Sequence, residues 1–141
     1  MHSILHKINI DSNPEALFLA LSTDDGLSNW WTKARSEGKL TTFYFGAEGE
    51  HRVVMETLHS APGKEIRWKC TDGPWVDKGE FVFSIVEEEK GVSLDFAHHG
   101  WAETDDFYKH CNPKWAFFLA VSLKQYLETG TGSPHPKDPS I

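Results

Sequence analysis

The chain has 141 residues and a formal charge of −7, enough length to bury about 70% of its unfolded surface around one core. Its acidity excludes sequence-independent binding to nucleic acid and attachment to anionic membrane surfaces, which both reward a basic patch. No apolar run approaches the roughly 18 residues of a membrane span, and the N-terminus lacks a charged region followed by an apolar one, so a cytoplasmic protein is expected. Cys70 and Cys111 are the only cysteines; they fit neither a disulfide framework nor a zinc-ribbon spacing and are expected to be free thiols.

Residues Ser3 to Ile10 alternate, with Ile4, His6, Ile8 and Ile10 on one face, and predict a first strand. Asn13 as N-cap and Pro14 at N1 then open a short helix carrying Leu17, Phe18, Ala20 and Leu21. Thr23 to Trp31 offers a second capped start, placing Leu27 and Trp30 or Trp31 against the core. From Ala34 to His99 strands and turns alternate. Phe43 and Phe45 share a face before the Gly46 to Gly49 turn, and His51 to Leu58 follows with its odd positions inward. Ile66, Trp68 and Cys70 alternate with Arg67, Lys69 and Thr71, and Phe81, Phe83 and Ile85 repeat the pattern. After the Glu87 to Gly91 turn, Val92, Leu94, Phe96 and His98 face in while Ser93, Asp95, Ala97 and His99 face out.

Asp24-Asp25 and Asp105-Asp106 stand at helix starts, where negative charge favours the dipole. The longest helical run is set from Asn112 to Gly130, with Asn112 as N-cap, Pro113 at N1 and Gly130 as the left-handed stop. Trp115, Phe118, Leu119, Ser122, Leu123, Tyr126 and Leu127 form its apolar stripe, with Lys114 and Lys124 turned outward. Residues 131–141 have the composition of an irregular tail. The expected fold is α+β: a curved antiparallel sheet of six to seven strands wrapped around a long C-terminal helix, as one domain over residues 1–130.

This order resembles the START-like (SRPBCC, helix-grip) superfamily, in its bacterial branch of homologues of the heat-shock-protein ATPase activator (Aha-type). The resemblance rests on Asn13-Pro14-Glu15, Trp30-Trp31, Trp68-Lys69-Cys70, Trp75 with Gly79, His98-His99-Gly100-Trp101, Cys111 with Trp115, and Tyr126 to Gly130. It implies an internal cavity between helix and sheet. The candidate lining is Phe43, Phe45, Trp68, Phe81, Phe83, Phe96, Trp115, Phe118 and Leu119, with Cys70, His98, Ser122 and Tyr126 as its polar minority. The alternative is that these rings simply fill the interior.

His98 is the one titratable side chain that alternation puts in that cavity, either as a ligand contact or general base, or as a satisfied core histidine. Its neighbour His99 points to the opposite face, so the two cannot chelate one ion, and neither metal nor other cofactor is expected. No nucleophile elbow, phosphate-binding loop or zinc-protease motif is present in the sequence. The function expected first is non-catalytic binding of a small hydrophobic ligand by a monomer or homodimer. A cyclase or hydrolase using His98, and a co-chaperone-like interaction module, are the alternatives.

Overall fold

A computed structural model describes residues 1–141. Strand β1 (His2–Ile10) is followed by α1 (Pro14–Ser22) and α2 (Asp24–Trp30), then by β2 (Ala34–Glu37), β3 (Leu40–Phe45), β4 (His51–Ala61), β5 (Glu65–Asp72), β6 (Glu80–Glu87) and β7 (Val92–Trp101). The strands form one curved antiparallel sheet in the order β1-β7-β6-β5-β4-β3-β2. Consecutive strands from β2 to β7 pair as hairpins, and β1 closes the order beside β7. Register irregularities fall in β1 and at two points of β4, and such bulges bend a strand and raise its twist.

Strand alternation reproduces the expected faces, because a half-buried strand can keep its apolar side inward only at period two. Ile4, Ile8 and Ile10, then Val53 and Met55, then Ile66, Trp68 and Cys70, then Phe81, Phe83 and Ile85 are all buried. Strand β4 runs on past Leu58 to Ala61. Ser93 departs from its expected outward position: it is fully buried, and its hydroxyl donates to Glu88 at 2.8 Å. A hydroxyl with a carboxylate partner can be buried at little cost, which alternation alone does not foresee.

The two short helices are capped as expected. Asn13 accepts from the Ala16 N–H at 2.8 Å, and Thr23 accepts from the Gly26 N–H at 3.0 Å. The C-terminal helix differs at its start. It begins seven residues earlier than Pro113, as α3 (Asp106–Phe117), with Asp105 as the N-cap accepting from the Tyr108 N–H at 2.9 Å. Pro113 therefore lies inside the helix. Its ring already holds a helical φ, so the loss is the i→i−4 bond to Lys109 and the crowding there, which the packing of Cys111 and Trp115 on either side offsets. A π-helical segment (Phe118–Leu123) follows, then α4 (Lys124–Thr129), ended by Gly130 at φ 90°. Phe118, Leu119, Ser122 and Leu123 are all buried, and the Lys124 side chain stays on the surface. Lys114, expected outward, is covered by the tail.

Two predictions follow from the helix. Trp115→Ala, at a site 2% exposed, should cost about 3–5 kcal/mol in denaturant unfolding. Asp105→Ala should cost about 1 kcal/mol through the lost cap, while Asn112→Ala, no longer at a helix end, should show no capping loss.

Candidate functional site

Trp31 sits at the centre of the ring packing. Its centroid lies 4.4 Å from Phe43, 4.9 Å from Trp115, 5.5 Å from Phe45 and 5.9 Å from Trp68. Helix α2 delivers it there, and the helix, its π segment and the sheet close around it. Beside Trp31 the ring packing leaves a pocket of about 650 Å³. Its apolar wall is Trp31, Phe45, Val53, Pro74, Trp75, Phe107, Cys111, Trp115 and Phe118. Its polar rim is Glu50, His51 and Arg52 from β4 and the turn before it, His110 and Lys114 from α3, and His135 and Asp138 from the tail.

The β5–β6 loop supplies Pro74 and Trp75. It is pinned over the pocket because a Cβ on Gly79 would stand 2.5 Å from the His99 carbonyl oxygen, and one on Gly100 2.6 Å from that of Lys78. Only glycine at both points lets these two backbones lie together. The indole N–H of Trp75 makes no hydrogen bond of good geometry, although it lies near enough to the Cys111 thiol to act on it. Burial pushes that thiol up, and the Trp75 N–H offsets only part of the push, leaving it at about 11. Burial also raises the Cys70 thiol. Both cysteines are free.

The tail, irregular in backbone, is nevertheless fastened. The Ser133 N–H donates to the Ser122 hydroxyl at 2.8 Å, and that hydroxyl donates to the Trp30 carbonyl at 2.6 Å. The His135 N–H donates to the Trp31 carbonyl at 2.7 Å. The His135 ring accepts from the Gly46 N–H at Nε2, 3.1 Å, and its Nδ1 stands 2.7 Å from Asp138 Oδ1. Lys114 Nζ closes the set on Asp138 Oδ2 and on the Pro139 carbonyl, each at 2.6 Å. Burial works to raise the Asp138 carboxyl; the hydrogen bonds from Lys114 and His135 outweigh it and hold the group below its ordinary range.

The residues expected in the cavity divide into two groups. Phe45, Trp115 and Phe118 line the pocket. Phe43, Trp68, Cys70, Phe81, Phe83, Phe96, Leu119 and Ser122 are buried in the closed ring packing beneath it, and Ser122 anchors the tail. Tyr126 is half-buried at the far end of the helix.

His98 is fully buried and stands apart from the pocket wall. It stacks on Phe81 at 3.7 Å, and its Nδ1 accepts from the Trp101 indole at 3.2 Å, which leaves the neutral ring's proton on Nε2. That Nε2 makes no hydrogen bond of good geometry, although the Lys78 carbonyl draws on it. Burial pushes the imidazole down to about 3. Lining residues that sequence reasoning did not name as a site include Trp31 and Trp75, read as packing or as marks of the resemblance, together with Phe107, Lys114, His135 and Asp138. No group of three or more His, Cys, Asp or Glu side chains is arranged to hold a metal ion, and no helix is long and apolar enough to cross a membrane.

An α+β grip with an apolar pocket at one end defines the class of the domain, and comparison with known proteins gives its family. The model of the Activator of Hsp90 ATPase homolog 1-like proteins matches residues 11–128, and the chain belongs to that family. Among solved structures it is similar to the Aha1 dimer of Colwellia psychrerythraea, at 35% identity and a TM-score of 0.84, with 94% of this chain and 100% of that chain covered. SSP2350 of Staphylococcus saprophyticus shares the fold at 18% identity and a TM-score of 0.76, covering 93% and 95% of the two chains. DynU16, from the dynemicin biosynthetic locus, does so at 16% identity and a TM-score of 0.73, covering 92% of this chain and 48% of its own. No match was found among the curated proteins.

The buried groups give two measurable consequences. An unfolded imidazole takes up its proton near the ordinary 6.5 and folded His98 only near 3, so the unfolded state binds more protons between those values. Stability therefore falls as pH is lowered from 6.5 toward 3, with a limiting contribution of about 1.4 kcal/mol per pH unit. Urea unfolding across that window should show a shallower slope for His98→Gln. At neutral pH a thiol alkylating reagent should leave Cys70 and Cys111 of the folded protein unmodified, and should modify both in denaturant without reductant.

Proposed function

We propose that the domain is a non-catalytic binding protein for a small hydrophobic or aromatic molecule, held where α3, the β3–β4 turn and the tail meet. The observation that carries this reading is the pocket of about 650 Å³ with six aromatic rings in its wall. Its size suits a small-molecule site, typically about 300–1,000 Å³. A flat ligand would stack on Trp31, Trp75 and Trp115, and stacked ring pairs add about 0.5–1.5 kcal/mol beyond area burial.

A reaction through His98 would need the imidazole to reach a substrate, and its burial behind Phe81 and Trp75 weighs against that. A co-chaperone-like interaction would use the outer surface and leave the pocket's affinities untouched by a protein partner. Free, buried thiols suit a reducing compartment, so the proposal places the protein in the cytoplasm. The relative solved as a dimer supports a homodimer.

Native mass spectrometry of the purified protein, with extraction of any bound molecule, tests the reading directly. Titration of aromatic and acyl compounds should change the intrinsic tryptophan emission, since three indoles line the pocket. Phe45→Ala, at the half-exposed mouth, should weaken that binding roughly tenfold, equivalent to about 1.4 kcal/mol. Unchanged emission across the panel, with no bound species in the mass spectra, would mean that the pocket is not a ligand site.

A further inference from the structure

The pocket carries one cation in direct reach of its apolar wall. Lys114 lies one residue from Trp115 on α3, and its side chain is only 20% exposed. The group that neutralises it comes from the tail: the Asp138 side chain is 6% exposed, lines the pocket, and is 2.6 Å from Lys114 Nζ. The rim's other carboxylate and its guanidinium are already engaged elsewhere. Glu50 folds back on its own turn and accepts from the Glu48 N–H at 2.9 Å. Arg52 lies over the Tyr44 ring at 5.6 Å.

We propose that the ligand is an aromatic molecule bearing one anionic oxygen group, a carboxylate or sulfonate, and that Asp138 holds the place of that group on Lys114 in the free chain. This rests on the binding function proposed above. An ammonium so largely covered needs an anionic partner, since a charge left unpaired in a medium poorer than water is costly. The ligand that enters must then bring one if it displaces the tail. An anionic ligand satisfies Lys114 as the carboxylate leaves, whereas a neutral one would strand it and so binds beside the closed clasp, and the exchange selects for charge at the same rings.

How the tail is attached makes the exchange physically simple. It is held in two parts of different strength. The near part is packed: a Cβ on Gly132 would stand 2.3 Å from the Asn29 carbonyl oxygen, and Ser133 is bonded to buried Ser122. The far part, from His135 to Asp138, is a polar clasp with no buried apolar side chain of its own. The clasp can let go while the packed part stays.

The test uses two fluorescent probes of similar shape, anilinonaphthalene sulfonate and uncharged N-phenyl-naphthylamine, with the full chain. Asp138→Asn and Asp138→Ala should each tighten the sulfonate probe about threefold to tenfold and leave the neutral probe within twofold. Lys114→Met, which keeps the apolar stem, should weaken the sulfonate probe by a similar factor and not the neutral one. Glu48→Gln removes the same unit of charge from the exposed neighbouring turn and should change neither. Equal gains for both probes in the Asp138 variants would make the aspartate a mere fastener of the tail and overturn the inference. An equal gain from Glu48→Gln would reduce it to general charge and overturn it too. Both outcomes leave the binding function standing, whereas failure of both probes to bind any of these proteins would remove both.

Discussion

The placement of Trp31 is the constraint on which the other features depend. One indole contacts rings from β3, β5, the β5–β6 loop and the C-terminal helix at centroid distances of 4.4 to 6.5 Å. The seam between helix and sheet is thus filled on one side of Trp31 and open on the other. Aromatic rings bury large areas yet cannot deform, so where their planes diverge no neighbour can flow in to close the gap. The pocket is the consequence of that rigidity. Its floor is the edge of the core, and a ligand there would extend the ring packing rather than enter a separate chamber.

Much of this architecture was legible in the sequence, and the reason is periodicity. Alternation at period two placed Phe81, Phe83 and Phe96 inward, and spacing of three and four placed Trp115, Phe118 and Leu119 on one stripe, because each element has a single face to bury. What periodicity could not give was depth. Phe43 and Phe45 share a face, but the first is fully buried while the second lines the pocket, since β3 runs out from under the helix between them. Local signals also competed. Asn112-Pro113 carries a good helix-start signature, yet the Asp105 cap lies about two turns upstream and the packing of Cys111 tolerates the proline. The tail has an irregular backbone. Its fastening runs through Ser122, Trp31, Gly46 and Lys114, partners distant in sequence that no composition rule can supply.

His98 shows how a chemically suggestive residue acquires a structural role. Alternation put it inward correctly, but inward here means stacked on Phe81 with an indole donating to its Nδ1. Burial there makes the ring resist protonation, as its depressed value of about 3 expresses. A general base working near neutral pH needs an affinity for protons close to that pH and a path to substrate. His98 has the opposite environment on both counts. Its cost to the fold appears instead as acid sensitivity, since burial of a titratable ring ties stability to the pH at which the unfolded chain would protonate it.

The same contrast of depth separates the two acid–base sites of the domain. His98 lies where nothing can exchange with it, whereas Lys114 and Asp138 lie at a boundary between packed rings and solvent. A pair at such a boundary is only partly desolvated, so its Coulomb gain is not screened away and its desolvation cost is not complete. Neither partner can be lost without leaving the other exposed to a medium poorer than water, which makes replacement by an equivalent group the low-energy route. The tail provides that kind of replaceable partner. It is tethered at Gly132 and Ser133, so the carboxylate remains close after release and competes as an intramolecular ligand, at an effective concentration set by only a handful of residues. Under the proposed exchange, a site closed in this way would discriminate by chemistry before shape: molecules that fit the rings without an anionic group would meet a pocket whose cation is already satisfied.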